Sequence, residues 1–298
     1  MKTVAILGPT ASGKSDLAIA LAKESGAYIL SLDSLSVYRK IDIASAKPSL
    51  RQREEVKHFG IDEIEVDTHF SVGLYTELFR EASRRTKAEG RPLIIVGGTG
   101  FYLKMLIEGI SDLPPMPEPI KERVSRLMLD LHEAYKTLRR IDRNYADSIS
   151  GTDRYRIEKG LQIYFLTDEL PSRYFKANPP KPLLDSVALY EIAVDKETLQ
   201  KRIEARTKAM FKEGLVDEIA DLEYRYGRAC NPMKAIGIRE VLDYFDAKSS
   251  LKETEEKIVI HTRQLAKRQR TFNRTQFPPH PLLDADALFK EVSVLLKG

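Results

Sequence analysis

The stretch GPTASGKS, Gly8 to Ser15, constrains this chain most, because the apolar run TVAIL precedes it and a helical pattern from Ser15 to Glu24 follows it. Strand, glycine-rich loop, helix is the order that a G-x-x-x-x-G-K-[ST] phosphate cradle requires. The loop Gly8, Pro9, Thr10, Ala11, Ser12, Gly13, Lys14, Ser15 offers consecutive backbone N–H groups at a helix N-terminus, which favours an anion. Lys14 adds a point charge, and the Ser15 hydroxyl suits a magnesium ion. The loop does not by itself say whose phosphate it holds.

The pattern repeats along the chain. A second strand, AYILSLD, ends at Asp33, and a long amphipathic helix runs through SVGLYTELFREASRRTKAEG to Gly90. RPLIIVGGTG then reads as a buried strand punctuated by glycines, followed by a helix from about Phe101 to Glu108. This alternation predicts an α/β fold: a P-loop NTPase-like parallel sheet flanked by helices, with ligands beyond the carboxyl ends of the strands. Two proline-rich junctions, SDLPPMPEP at 111–119 and ANPPKPLLD at 177–185, bracket charged amphipathic segments, EPIKERVSRLMLDLHEAY and DRYRIEKGLQIYFLTDE, each read as helical. They predict a hinged helical insertion over 112–185 within a catalytic core made of 1–111 and 186–298. SVALYEIAVD brings a strand back to the sheet, and the rest reads as mostly helical.

Composition narrows the class. The chain has 298 residues, 42% hydrophobic, enough for a sizeable core. It shows neither an apolar run of membrane-spanning length nor a charged leader with a cleavage site, so we expect a soluble, cytoplasmic protein that makes no membrane contact. The single cysteine, Cys230, excludes an internal disulfide and reads as a buried thiol. The five histidines show no ligand spacing, and no structural metal is expected. A net charge of +4 is mild, so any nucleic-acid case rests on clustering. Between Lys257 and Arg274 six cations occur without an acid. On a helix Arg263, Lys267, Arg270 and Arg274 form one stripe, with Ile258, Leu265 and Phe272 opposite.

An NTP-hydrolysing protein usually ends a second apolar strand in a metal-supporting Asp. Here LIIVGGTG ends in glycines instead, while Asp33 ends the strand after the P-loop helix, where a carboxylate could act as general base or simply cap the next turn. On the residues alone the phosphate could belong to a nucleotide to be hydrolysed, to the phosphoryl donor of a small-metabolite kinase, or to something else carrying a diphosphate, and a non-catalytic RNA binder that uses the loop only as a phosphate site also stays open.

In order along the chain, GPTASGKS, DSLSVYRKIDIASAKP, PLIIVGGTGFYL, RTKAMFKEGLVDEI, AIGIRE and TRQLAKRQRTF resemble the bacterial tRNA dimethylallyltransferase family. The resemblance covers roughly 3–110 and 187–275. It implies transfer of a dimethylallyl group from dimethylallyl diphosphate to N6 of adenine 37 in tRNA, with Mg²⁺ assisting; the neighbouring chemistry, prenylation of free adenine nucleotides, would leave the hinged insertion and the basic stripe without a use. It implies Asp33, Thr10, Lys14 and Arg206 at the reacting centre, and the P-loop on the diphosphate. The tRNA contacts it implies fall on Asp33, Ser34, Leu35, Ser36, Thr99, Lys121, Arg156, Lys159 and the stretch Lys234 to Arg239, to which the basic stripe of Arg263, Lys267 and Arg270 is added. Together these are expected to hold the anticodon stem-loop, a monomer being the expected state. The chain departs from the family in having Ser36 where Gln is usual, Phe59 where a second His is usual, Ile238–Arg239 for Tyr-Lys, and Phe272 for Trp.

Overall fold

A computed structural model describes residues 2–109, 111, 114–184 and 186–297. In chain order its elements are β1 (Thr3–Leu7), α1 (Lys14–Ser25), β2 (Tyr28–Leu32), α2 (Leu50–Glu55), β3 (His58–Phe59), α3 (Val72–Ala88), β4 (Leu93–Gly97), α4 (Gly100–Glu108), α5 (Glu118–Leu127), α6 (Leu131–Ile141), α7 (Arg143–Asp147), α8 (Arg154–Thr167), α9 (Pro171–Ala177), β5 (Ala188–Ile192), α10 (Lys196–Lys212), α11 (Leu215–Tyr226), a 3₁₀ turn (Asn231–Lys234), α12 (Ile238–Phe245), α13 (Leu251–Gln276), β6 (Leu282–Leu283) and α14 (Ala285–Lys297). By contacts the chain divides into two units, Met1–Ile107 with Leu184–Gly298, and Glu108–Leu183. Asp112 and Asp185, at the expected limits of the insertion, lie outside the described residues.

The first unit is built on one six-stranded sheet in the order β3-β2-β4-β1-β5-β6. Every pairing is parallel, which requires the crossover connections that the intervening helices supply. The central strands β1 and β4 are buried along their whole length, which is why VAIL and LIIVG are continuously apolar rather than alternating. On one face Val4, Ile6, Ile29, Ile94 and Val96 pack with Leu17, Leu21, Leu288 and Val292 of α1 and α14. Their alternate neighbours point the other way, to the side where α3 meets β2 and β4. There Tyr75 stacks on Tyr102 at 4.8 Å, with the Phe70 ring edge-on to both.

This strand order decides where function can lie. The P-loop leaves β1, Asp33 leaves β2, and the strand between them, β4, ends in Gly97 and is followed by Gly98. Neighbouring strands lie about 4.8 Å apart, so Asp33 and the P-loop start about 10 Å apart. No side chain stands on β4's end to fill the gap. A Cβ on Gly97 would sit 2.2 Å from the Leu32 carbonyl oxygen, so the close approach of β2 and β4 itself requires glycine.

The second unit is a small helical assembly whose core is Val124, Met128, Ala134, Leu138, Ala146, Ile157 and Leu161. The segment 118–135, read from sequence as a single helix, breaks between α5 and α6. Asp130 accepts the amides of His132 and Glu133 and so starts a new helix. Buried Asp142 caps α7 through the Tyr145 amide at 3.0 Å and takes the Ser172 amide at 2.7 Å, tying α9 to the turn. Two-residue β3 and β6 and the short α2 complete the differences from the expected elements. No helix among the described residues is long and apolar enough to cross a membrane.

Candidate active site

The loop after β1 has the geometry of an anion nest. Ala11 (φ 62°) and Gly13 (φ 90°) are left-handed, which turns successive amides toward one point. Gly8 allows the loop to lie on β5, since a Cβ there would meet Ile192 at 2.4 Å. Two arginines one turn apart on α10 brace the loop. Arg202 Nη1 donates to the Ser12 carbonyl at 2.9 Å, and Arg206 Nη1 to Thr10 Oγ1 at 3.3 Å. Lys14 is buried and donates to the Pro9 carbonyl at 3.1 Å. Burial, then the Arg206 charge, lower its pKa to about 8, while Asp33 acts in the opposite direction. Burial likewise lowers the Arg206 guanidinium from its ordinary value, opposed by Asp33. Lys14, Arg206 and Asp33 thus feel one another's charge across the site.

Asp33 does cap the turn that follows it. Its Oδ1 accepts the amides of Leu35 at 2.7 Å and Ser36 at 3.1 Å, which pins the carboxyl group, and Oδ2 makes no hydrogen bond among the described residues. Capping and a chemical role are therefore compatible. A cavity of about 110 Å³ is lined by Asp33, Thr10, Lys14, Ser15, Arg206, Gly97 and Gly98, so the P-loop and the carboxylate share one space. Lys14, Ser15 and Arg206 also line a wider groove of about 1090 Å³ on the outer side of the loop. One wall of that groove is the loop 42–50. Glu218 holds it by accepting the amides of Asp42, Ile43 and Ala44 at 2.7–2.9 Å, and Lys47 by pairing with Asp42 and Asp62. No cluster of three or more His, Cys, Asp or Glu able to hold a metal occurs among the described residues. A hard ion that keeps several waters and borrows phosphate oxygens needs only one or two protein oxygens, and the exposed Ser15 hydroxyl at this mouth meets that requirement.

The other expected contacts divide into free and engaged groups. Ser34 is exposed and Leu35 half-buried, whereas Ser36 is buried with its hydroxyl 2.9 Å from that of Ser31. Half-buried Thr99 donates its amide to Leu32 O at 3.1 Å, at the end of β4. In the second unit Lys121 and Arg156 are exposed and paired with Glu118 and Asp153, and Lys159 bonds Gln162. Lys234 and Arg239 are exposed, and Arg239 also reaches Glu240 at 2.6 Å. On α13, Arg263, Lys267 and Arg274 face solvent. Arg270 does not: half-buried, it donates to the Val194 carbonyl at the end of β5, so its first task is to anchor the helix.

Sequence reasoning passed over Gln269. Its Oε1 accepts the Thr10 amide at 2.8 Å, and its side chain lies so close to Gly98 that a Cβ there would meet Nε2 at 2.2 Å. A signal was present. At about 100° per residue Gln269 falls about 20° from Ile258, on the apolar face, where a carboxamide needs a partner.

A parallel sheet, a P-loop at its centre and a carboxylate in the same cavity define an α/β protein built to bind and act on a phosphorylated ligand. Over residues 36–276 the chain matches the IPP transferase family. It is 50% identical to the tRNA dimethylallyltransferase of Nautilia profundicola, over 92% of each chain. Against the enzyme of that name from Sulfurovum the figure is 49%, over 93% of this chain and 92% of the other. A crystal structure of tRNA delta(2)-isopentenylpyrophosphate transferase from Staphylococcus epidermidis superposes with a TM-score of 0.70 at 27% identity, covering 99% of both chains. A eukaryotic dimethylallyltransferase acting on tRNA superposes at 0.79 and 26%, over 91% of this chain and 70% of its own. The chain belongs to the IPP transferase family.

Proposed function

We propose that this chain transfers a dimethylallyl group from dimethylallyl diphosphate to N6 of adenine 37 in tRNA, releasing diphosphate. The observation that carries the reading is the single cavity shared by the P-loop, Arg206 and Asp33. Relatives 43–50% identical over most of the chain bear the name tRNA dimethylallyltransferase.

In the reaction the allylic C–O bond breaks, the C–N bond to the base forms, and one proton must leave the nitrogen. Charge builds on the departing diphosphate, where the P-loop amides, Lys14 and Arg206 stabilise it. Thr10, held by Arg206 through its hydroxyl and by Gln269 through its amide, keeps the loop edge nearest the reacting carbon fixed. The exocyclic amine is a weak nucleophile because its lone pair is delocalised into the ring. Asp33 takes its proton as the new bond forms, a contribution of about 10²- to 10⁴-fold. Ser15 would hold Mg²⁺ beside the diphosphate, where the ion supplies charge neutralisation. The base has to leave its stack to reach a space this small. Exposed Lys121, Arg156, Lys234, Arg239, Arg263 and Lys267 offer cations to the anticodon stem-loop phosphates. Every group named comes from one chain, so a monomer suffices.

Incubating the protein with dimethylallyl diphosphate, Mg²⁺ and unmodified tRNA should yield prenylated adenosine by mass spectrometry of the digested RNA. Unmodified RNA together with ADP released from ATP and a small alcohol would replace the reading with a kinase.

A further inference from the structure

We infer that Gln269 determines specificity for the acceptor base, donating a hydrogen bond to a ring nitrogen beside the amine that Asp33 deprotonates. The inference rests on the transferase reading above and adds to it the means by which adenine is chosen. Gln269 reaches the site from α13 and lines the same cavity as Asp33 and Thr10. The Thr10 amide can only donate, so the carboxamide oxygen must face it, and the orientation of the group follows from that contact. Gly98 leaves room for the Nε2 end, which makes no hydrogen bond among the described residues. Both residues line the cavity, and among the described residues neither the acceptor Asp33 Oδ2 nor the donor Gln269 Nε2 has a hydrogen-bond partner.

Adenine presents the complement: an N–H donor at N6 flanked by ring-nitrogen acceptors, N7 on the major-groove edge and N1 on the pairing edge. Guanine places a carbonyl oxygen where adenine has its amine, and that oxygen would face the Asp33 carboxylate, acceptor against acceptor. A site built from oriented hydrogen-bonding groups rejects such a base strongly, because its own groups are left unpaired. One residue thus serves both substrates, fixing the loop under the diphosphate with its oxygen and reading the base with its nitrogen.

The test uses the full chain and anticodon stem-loops carrying adenosine, 1-deazaadenosine or 7-deazaadenosine at the target position. Gln269→Leu should lower kcat/KM for adenosine about tenfold. One of the two deaza substrates should cost the wild type a similar factor and cost Gln269→Leu nothing more. Gln269→Glu, which keeps the acceptor for Thr10 but loses the donor, should fall with Gln269→Leu. Independent losses on both deaza substrates, or wild-type behaviour of Gln269→Glu, would overturn the assignment. So would a Gln269→Leu defect confined to dimethylallyl diphosphate affinity in calorimetry, since Gln269 would then only support the loop. A wild type that modifies no RNA would sink the transferase reading itself, and this inference with it.

Discussion

Lys14 carries the charge most sensitive to conditions. Burial brings its pKa down to about 8, with Arg206 adding to the effect. Charged Lys14 therefore disfavours folding in full below about 8, and the penalty is relieved as pH rises toward 10.5, where the unfolded chain still holds the proton. A bound diphosphate reverses the balance by favouring the ammonium form. We expect dimethylallyl diphosphate binding at about pH 8.5 to take up protons, seen as heats that differ between buffers of different ionisation enthalpy. Equal heats in all buffers would contradict this. The P-loop residues, Asp33 and the basic positions were legible because each rests on a local signal: a motif, a strand end, a run of cations. Gln269 and Arg202 were not, because what they touch lies far away in sequence. The helix pattern gave Arg270 a solvent-facing place, and only the tertiary contact with Val194 shows that it is engaged.

Among the elements, β4 and α13 shape the site. β4 separates the strands bearing the P-loop and Asp33, and Gly97 and Gly98 keep the gap open. Gly97→Ala would drive a methyl group into the Leu32 carbonyl, and the strand register leaves the backbone nowhere to move. We expect a loss of about 1–3 kcal/mol, as for overpacking, read as a lowered Tm with a parallel fall in turnover. An unchanged Tm would show that β2 and β4 can separate freely. Along α13 the buried line is Thr254, Ile258, Ala266 and Asn273, whereas the sequence pattern placed Ile258, Leu265 and Phe272 there. Asn273 can be buried because its Nδ2 donates to Glu191 at 2.9 Å. Polarity is a poor guide to burial where a helix crosses the ends of strands, whose carbonyls and side chains supply partners. The break at Asp130 was hidden for a related reason: apolar spacing continues through 118–135, and only the cap geometry interrupts it.

At the scale of the whole molecule, the strand-helix alternation and the proline-rich junctions announced a parallel sheet interrupted by a helical segment, since both signals repeat over tens of residues. The two-residue strands were invisible because so short a run carries no period. In the second unit a buried capping carboxylate, Asp142, should make the packing of α7 and α9 sensitive to acid. Burial opposes ionisation of Asp142, but the amides of Ser172 and Tyr145 outweigh it and hold its carboxyl below the ordinary 3.8. That stabilisation is complete above the ordinary value and is lost as pH falls through the lowered one. Amides of α6–α9 should therefore lose hydrogen-exchange protection in acid, and Asp142→Asn should start less protected and lose the pH dependence. Identical acid profiles for the two proteins would assign the loss elsewhere. In the proposed reaction Asp33 removes a proton from the base while the P-loop holds the leaving diphosphate. Single-turnover transfer by Asp33→Asn, with both substrates saturating, tests it most directly, because Asn keeps the cap on Leu35 and Ser36 and loses only the basicity. The rate should fall at least about a hundredfold with dimethylallyl diphosphate and tRNA affinities nearly unchanged. A wild-type rate, or a defect explained wholly by weaker binding of either substrate, would contradict it.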